Sequence, residues 1–240
     1  MTATKNKLET TVGELVTERP ARARIFESFA IDYCCGGKKP LAQAIAEKGL
    51  DEKAVLGVLD AFDDQATPAE EDFSKISLTE LADHIEQTHH AFLKRELPRL
   101  EFLVNKVADR HGDHRPALVE VASIFGAFKA ELESHMQKEE VILFPICRKM
   151  EKATGLQQFH CGSVKNPIAV MMQEHDDAGD ALKRMRDLTD DYSLPADACN
   201  SYRALFDSLK ELEFDMHRHV HKENSILFPR AVELEAQHCA

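Results

Sequence analysis

The chain has 240 residues, of which 43% are hydrophobic and 30% are charged, and this composition is typical of a globular protein with a real core. Its formal net charge of −12 argues against nucleic acid or an anionic membrane surface as the main partner, because both are polyanions. No apolar run approaches the roughly 20 residues that span a bilayer, and the polar first residues lack the hydrophobic stretch of a signal peptide. We therefore expect a cytoplasmic protein.

Residues 1–61 predict a small helical domain. Apolar residues recur at helical spacing in four short stretches, which are separated by prolines and glycines. About 60 residues are marginal for independent stability, so we expect this domain to pack against the rest of the chain or against a second copy. Residues 62–75 are acidic, contain a proline and show no sustained apolar period, which predicts a linker.

The small domain contains two adjacent cysteines, Cys34 and Cys35, which are followed by Gly36 and Gly37. The chain has six cysteines, and we expect them to be reduced, because a chain of this size does not need disulfides. Neighbouring cysteines do not close an ordinary unstrained disulfide, and the glycines leave the thiols accessible to a reactant. The motif alone fits either a reactive thiol pair or two ordinary turn cysteines.

Residues 76–240 predict four long helices, with glycine and proline concentrated between them. The expected spans are about 78–109, 116–151, 167–190 and 196–236. Four helices of this length with short connections form an up-down-up-down bundle. The sequence therefore predicts an all-α protein, with a four-helix bundle preceded by a small helical domain.

One stretch of the second predicted helix returns in the fourth. His135 and Glu139 stand four residues apart, as do His219 and Glu223, and each pair is followed at the same offset by Leu-Phe-Pro. Residues four apart lie one turn apart on the same face of a helix, so each pair directs an imidazole and a carboxylate the same way. A proline inside a helix removes a hydrogen bond, so the closing proline of each copy is expected to kink or end its helix.

A histidine also precedes each copy at a similar distance. His175 precedes His219 by 44 residues, and His90 precedes His135 by 45. The adjacent His89 is the alternative to His90, whose spacing is nearer to 44. One histidine from each helix and two glutamates then converge inside the bundle, a donor set that suits a pair of iron ions bridged by carboxylates. Zinc or manganese would accept the same atoms.

Other charged side chains have weaker patterns. Glu131 and Asp215 each stand four residues before a ligand histidine, and Glu174 immediately precedes another, so they are candidates for holding the imidazole rings in place. On a chain this acidic, a solvated surface charge is the alternative for each. His217 and His221 are expected to be surface residues.

These motifs together closely resemble the repair of iron centres family. The resemblance rests on Asp-Tyr-Cys-Cys-Gly-Gly-Lys at 32–38, on Glu-His-Asp at 174–176 and on the two His-x-x-x-Glu copies, and it covers nearly the whole chain. Members of that family are hemerythrin-like di-iron proteins of bacteria associated with the repair of iron-sulfur clusters damaged by nitric oxide or oxidants. Two departures are the loop at 157–163, which contains His160 and Cys161, and the tail at His238 and Cys239.

The resemblance implies two iron ions, a cytoplasmic homodimer and a role for Cys34 and Cys35, which we expect to relay electrons or handle iron. The implied iron ligands are His90, His135, Glu139, His175, His219 and Glu223, with both glutamates bridging. The expected function is a response to nitrosative or oxidative stress, in which iron is supplied to damaged or apo iron-sulfur proteins. The alternatives are reduction of nitric oxide at the di-iron site and sensing of oxygen or nitric oxide.

Overall fold

The structure is a computed structural model, and it describes residues 6–64, 72–153 and 159–238. Within these ranges all regular elements are helices, apart from two isolated β-bridges. The predicted all-α class is therefore confirmed. None of these helices combines the length and the apolar character that crossing a membrane requires.

Four short helices build the N-terminal domain. They are α1 (Val12–Glu18), α2 (Ala23–Ser28), α3 (Leu41–Glu47) and α4 (Glu52–Asp63), with a 3-10 turn at Pro20–Arg22 before α2. Thr11 and Glu14 form a reciprocal capping box that starts α1. Each helix contributes apolar side chains to one small core, which includes Val12, Leu15, Phe26, Leu41 and Leu59.

The last of these helices ends at a group of ion pairs. Arg22 Nη2 donates to Asp63 Oδ2 at 2.8 Å, and Lys7 Nζ lies 2.7 Å from the same oxygen. Burial disfavours the ionised carboxyl, but the two cations outweigh it and lower the pKa of Asp63 to about 2. The helix therefore runs two residues past the expected domain boundary at residue 61, and the predicted linker begins inside it. Residues 65–71 of that linker lie outside the described residues.

Four long helices form the bundle, and three of them contain one π-helical turn. They comprise α5 (Leu78–Ile85, π turn Glu86–His90, Ala91–His111), α6 (Ala117–Lys138, π turn Glu139–Leu143, Phe144–Lys152), α7 (Lys165–Leu188) and α8 (Asn200–Lys222, π turn Glu223–Leu227, Phe228–His238). The spans lie within a few residues of those that the sequence predicts. The predicted four-helix bundle is confirmed.

The π turns of α6 and α8 explain how both helices pass their internal prolines. Each π turn ends at the leucine that directly precedes a Phe-Pro pair. The proline of the pair is Pro145 in α6 and Pro229 in α8. Proline has no N–H and its ring clashes with the carbonyl four residues earlier, and a locally widened turn shifts that carbonyl away. Of the two expected effects of these prolines, a kink or the end of the helix, the second does not occur, because both helices continue for about two further turns.

The core of the bundle is divided into two apolar clusters. One contains Leu93, Phe125, Leu182 and Leu209, and the other contains Leu81, Phe144, Ile168 and Leu227. On each helix the candidate ligands lie at the boundary between the residues of the first cluster and those of the second. The fold therefore places a thin polar layer between two hydrophobic clusters.

The N-terminal domain packs against the bundle of the same chain. Thr17 Oγ1 lies 3.4 Å from His221 Nε2 of α8, and Cys35 Sγ lies 3.4 Å from the carbonyl oxygen of His175 on α7. The structure thus provides the packing partner that we expect for a domain of this size.

Candidate metal centre

The polar layer contains six buried side chains, all of which the sequence predicts as ligands. They fall into two groups whose donor atoms lie within 4.8 Å of one another. His90 and His219 belong to the first group, His135 and His175 belong to the second, and both glutamates belong to both. None of the six side chains is more than 2% exposed.

Each glutamate directs one carboxylate oxygen to each group. Glu223 Oε1 lies 3.0 Å from His219 Nε2, and Glu223 Oε2 lies 3.1 Å from His175 Nε2. Glu139 repeats this division, with Oε2 3.3 Å from His90 Nε2 and Oε1 3.3 Å from His135 Nε2. Two donors bound at right angles to one ion with bonds of about 2.1 Å lie about 3 Å apart. The spacing therefore fits two cations that share both carboxylates.

Several of these atoms are buried without a hydrogen-bond partner among the described residues. They are both carboxylate oxygens of Glu139, Oε2 of Glu223 and Nε2 of His90. Burying two carboxylates in an apolar bundle is unfavourable unless positive charge compensates them. A cation in each group satisfies these atoms, so the residues fit a metal centre.

Without a metal, the same electrostatics draw protons to the rings. Burial disfavours the imidazolium of His135, but Glu139, Glu223 and Glu174 outweigh it and raise the pKa of His135 to about 9. Burial likewise opposes ionisation of Glu223, yet His219 and His175 hold its pKa well below the ordinary value. The centre therefore favours positive charge, supplied by protons or by metal.

Three of the four rings are held from behind through Nδ1. His90 Nδ1 lies 2.7 Å from Glu140 Oε1, and His135 Nδ1 lies 2.9 Å from Glu174 Oε2. His175 Nδ1 lies 3.0 Å from Asn224 Oδ1. A proton on Nδ1 leaves the Nε2 lone pair free for a cation, which is the usual arrangement of a ligating histidine.

Comparison with known proteins agrees with this geometry. Residues 81–231 match the family described as "Hemerythrin HHE cation binding domain", and residues 8–63 match one described as "Domain of Unknown function (DUF542)". The iron-sulfur cluster repair protein YtfE of Enterobacter sp. (strain 638) is 37% identical over 221 residues, which cover 92% of this chain and 96% of the relative. The chain belongs to the iron-sulfur cluster repair protein family. The resemblance seen in the sequence is thereby confirmed.

Two further members of the repair family show the same extent of similarity. The iron-sulfur cluster repair protein YtfE of Musicola paradisiaca (strain Ech703) is 36% identical over 231 residues, covering 95% of this chain and 98% of the relative. The protein of that name from Escherichia coli O157:H7 is 35% identical over 221 residues, covering 92% and 96%. The similarity therefore includes both the small domain and the bundle.

In this member of the repair family, His89 is buried beside the centre but is not part of either group. Its ring stacks on that of His219, with the centroids 5.2 Å apart and the planes 6° apart. Its Nδ1 lies 2.9 Å from Asp215 Oδ1, and Lys222 Nζ lies 2.7 Å from its Nε2. Adjacent helical residues point about 100° apart, so His90 faces the two glutamates while His89 flanks them.

Of the three carboxylates that were candidates for holding a ligand ring in place, only one contacts a candidate ligand. Glu174, a candidate because it directly precedes His175, contacts the ring of His135 on a neighbouring helix instead. Glu131 is exposed on the wall of a cavity that also borders His135, and Asp215 holds His89 instead of His219. The positions of Glu131 and Asp215 one turn before a ligand therefore do not bring them to the ligand's Nδ1.

Sequence reasoning missed Glu140 and Asn224. Each directly follows a glutamate that belongs to both groups, and each reaches a histidine on a neighbouring helix, across 50 and 49 residues of sequence. The signal that could have identified them is their position, since each stands directly after the glutamate in its copy of the repeat. Glu140 is also bound by Lys94, whose Nζ lies 2.6 Å from Oε1, and Lys138 contacts Glu174 in the same way.

The expectation that His221 is a surface residue is wrong. Its side chain is buried, because the N-terminal domain covers this face of α8. The Tyr33 ring lies 5.6 Å from the His221 ring, and it lies 6.0 Å from that of His217, which is half-buried. Burial lowers the pKa of His221 to about 4, so this ring is neutral at ordinary pH.

The cysteine pair lies where the small domain meets α7. The Cys34 and Cys35 sulfurs are 3.9 Å apart, and Cys34 Sγ donates to Asp32 Oδ1 at 3.1 Å. The hydrogen bond with Cys35, burial and the Asp32 charge raise the pKa of the Cys34 thiol well above its ordinary value. A Cβ at Gly37 would clash with the Tyr33 carbonyl oxygen, so the tight turn that presents the thiols requires glycine there.

The loop that departs from the family pattern is only partly described. Residues 154–158 lie outside the described residues, and Cys239 of the tail does as well. His160 is exposed, and Cys161 packs partly buried against the second apolar cluster. The five cysteines within the described ranges are all free thiols.

Proposed function

We propose that the protein repairs iron-sulfur clusters damaged by nitrosative or oxidative stress, and that it does so by supplying iron held in the bundle. The observation that carries the proposal is the division of each buried glutamate between two histidine pairs. Two iron ions would be held, one by each pair, with Glu139 and Glu223 bridging them. Imidazole with carboxylate is a donor set that iron accepts in both its ferrous and its ferric state.

The centre also suits iron ions that must be released to another protein. Each ion receives two imidazoles and two shared carboxylate oxygens, and no thiolate from the described residues. A cavity of about 380 Å³ borders His135 and His175, and we propose it as the route by which small species approach the centre. The residues would therefore hold the ions in a buried layer that a cavity borders on one side.

The role proposed for Cys34 and Cys35 rests on their position. Cys35 Sγ contacts the backbone of His175, so the thiols lie beside the helix that carries a ligand. We propose that the pair receives iron in transit or relays reducing equivalents between a donor and the centre. Replacing both cysteines with serine should preserve iron binding and slow delivery. Unchanged delivery by this variant would exclude the role.

Delivery is tested by mixing the iron-loaded full-length protein with an apo iron-sulfur enzyme. We expect more recovered activity than from the same concentration of free ferrous iron. The Glu139→Ala variant should give no advantage over free iron, and His114→Ala, which replaces an exposed histidine outside the centre, should behave as the unaltered protein. Equal recovery with loaded protein and with free iron would reject the proposal.

The partners and setting proposed for the protein follow from its family resemblance. Damaged or apo iron-sulfur proteins are the proposed clients, in the cytoplasm, and the protein is proposed to act as a homodimer. Light scattering of the purified protein measures its mass in solution. A mass near 27 kDa, that of one chain, would contradict the dimer.

Reduction of nitric oxide is the second candidate function, and the shared carboxylates favour it. Two ferrous ions bridged by Glu139 and Glu223 would supply the two electrons that convert two nitric oxide molecules and two protons into nitrous oxide and water. Oxygen or nitric oxide sensing would instead involve binding without turnover. Nitrous oxide formed over many turnovers with an added reductant would favour the enzyme. One equivalent or none would reject it.

A further inference from the structure

The four candidate ligand histidines differ in what contacts the ring nitrogen that faces away from the centre. Glu140, Glu174 and Asn224 contact Nδ1 of His90, His135 and His175, at 2.7 to 3.0 Å. Nδ1 of the fourth, His219, is buried and has no hydrogen-bond partner among the described residues. The exception lies in the first group, which His219 shares with His90.

A stacked ring holds His219 in place of a hydrogen bond. His89 lies parallel to it at 5.2 Å, and its own nitrogens are engaged by Asp215 and Lys222. Stacking fixes the plane of the His219 ring, but it accepts no proton from Nδ1. The ring therefore gains orientation without the increase in basicity that an acceptor gives a ligating imidazole.

The cavity and Cys35 lie beside the second group, and the contacts behind the rings are otherwise matched between the groups. Each group contains one imidazole whose Nδ1 contacts a carboxylate, Glu140 in the first and Glu174 in the second. A lysine pairs with each of these carboxylates. Each group also receives one oxygen from Glu139 and one from Glu223. Among the contacts to the outer ring nitrogens, the difference is thus confined to the fourth, which Asn224 makes in the second group and which His219 lacks in the first.

We propose that the two cation positions are unequal, and that the position held by His90 and His219 is filled last and emptied first. Loss of one such outer contact weakens metal binding about 10- to 100-fold in general, which sets the expected difference. The inference rests on the proposed function and identifies the ion that serves as cargo. The ion held by His135 and His175 then remains bound when the first is given up.

The test is an anaerobic titration of the metal-free full-length protein with Co²⁺, followed by its visible absorption. Repulsion between two ions that share carboxylates separates the binding steps even in a symmetric centre, so separation alone decides nothing. The inequality is tested by finding which histidine each binding step depends on. His219→Ala should abolish the weak step and keep the tight one, whereas His175→Ala should abolish the tight step.

Two substitutions at matched positions of the repeat should shift the steps in opposite directions. Asn224→Leu removes the acceptor of His175 and should bring the two steps together by weakening the tighter one. Glu140→Gln removes the charge behind His90 and should move them further apart. A general loss of structure would weaken both steps in both variants, and circular dichroism checks that each variant is folded.

The outcomes separate this inference from the proposed function. If the tight step is lost in His219→Ala and kept in His175→Ala, or if the two matched substitutions shift the steps alike, the inequality is refuted while the metal centre stands. If the unaltered protein binds no Co²⁺ and no ferrous iron, the proposed function fails as well.

Discussion

The two copies of the His-x-x-x-Glu repeat hold the same ligands but differ in the residue that follows the glutamate. In α6 that residue is Glu140, which contacts His90 of α5, and in α8 it is Asn224, which contacts His175 of α7. Both copies have a π turn that begins at the glutamate and a proline two residues beyond the end of the turn. The shared residues therefore set the geometry of the centre, and one varied position sets the charge behind the rings.

The largest expected effect comes from the two glutamates that we propose as bridging ligands. Because each contributes an oxygen to both groups, Glu139→Ala and Glu223→Ala should each reduce bound iron from about two ions per chain to about none. A histidine serves only one group, so His90→Ala should leave about one ion. Metal analysis after desalting measures the content, with Glu131→Ala as the matched control. Retention of both ions in either glutamate variant would show that the carboxylates do not bridge.

Protons should compete with the metal at the first copy. The raised pKa of His135, about 9 in the metal-free protein, means that the ring holds its proton below that pH. A cation must displace this proton, so apparent affinity should fall about tenfold for each pH unit below 9 and rise towards it. Calorimetric titration at pH 7 and pH 8 in buffers of different ionisation enthalpy counts the protons released. A pH-independent affinity would contradict the assignment of His135 as a ligand.

Replacing the prolines tests whether the π turns are needed for metal affinity or only for accommodating proline in the helix. Because the π turns already accommodate the prolines, Pro145→Ala and Pro229→Ala should change the free energy of unfolding of the metal-free protein by less than the roughly 3 kcal/mol that proline costs inside a regular helix. If the π turn relaxes towards an α turn, the adjoining glutamate rotates and metal affinity should drop several-fold. Urea unfolding and metal titration measure the two quantities. A loss of stability with unchanged affinity would assign the prolines a purely structural role.

The smallest effects are expected at the exposed lysines behind the rings. Lys94 is 56% exposed and Lys138 is 40% exposed, and an exposed ion pair contributes about 0.2 to 1 kcal/mol. Lys94→Met and Lys138→Met should therefore weaken metal binding less than about fivefold. The two changes should be alike, since both lysines pair with a carboxylate that contacts a ligand ring. A tenfold difference between them would show that the groups differ in more than the fourth ring contact.

Much of the architecture could be predicted, because it depends on local spacing. Apolar periodicity placed the four long helices within a few residues, and the repeat singled out the six side chains that the structure brings together. Residues four apart share a helix face whatever surrounds them. The Cys-Cys-Gly-Gly turn was likewise visible, because glycine is required where its backbone approaches Tyr33.

The contacts between helices could not be predicted in the same way. Which of His89 and His90 faces the glutamates depends on the rotation of α5, and the burial of His221 depends on where the small domain docks. Glu140 and Asn224 meet their histidines across about 50 residues, with no local period to indicate it. The sequence by itself determined the helices and the candidate ligands, since these follow from spacing along the chain. The tertiary structure decided which partner stands behind each ligand, because that depends on how neighbouring helices turn towards one another.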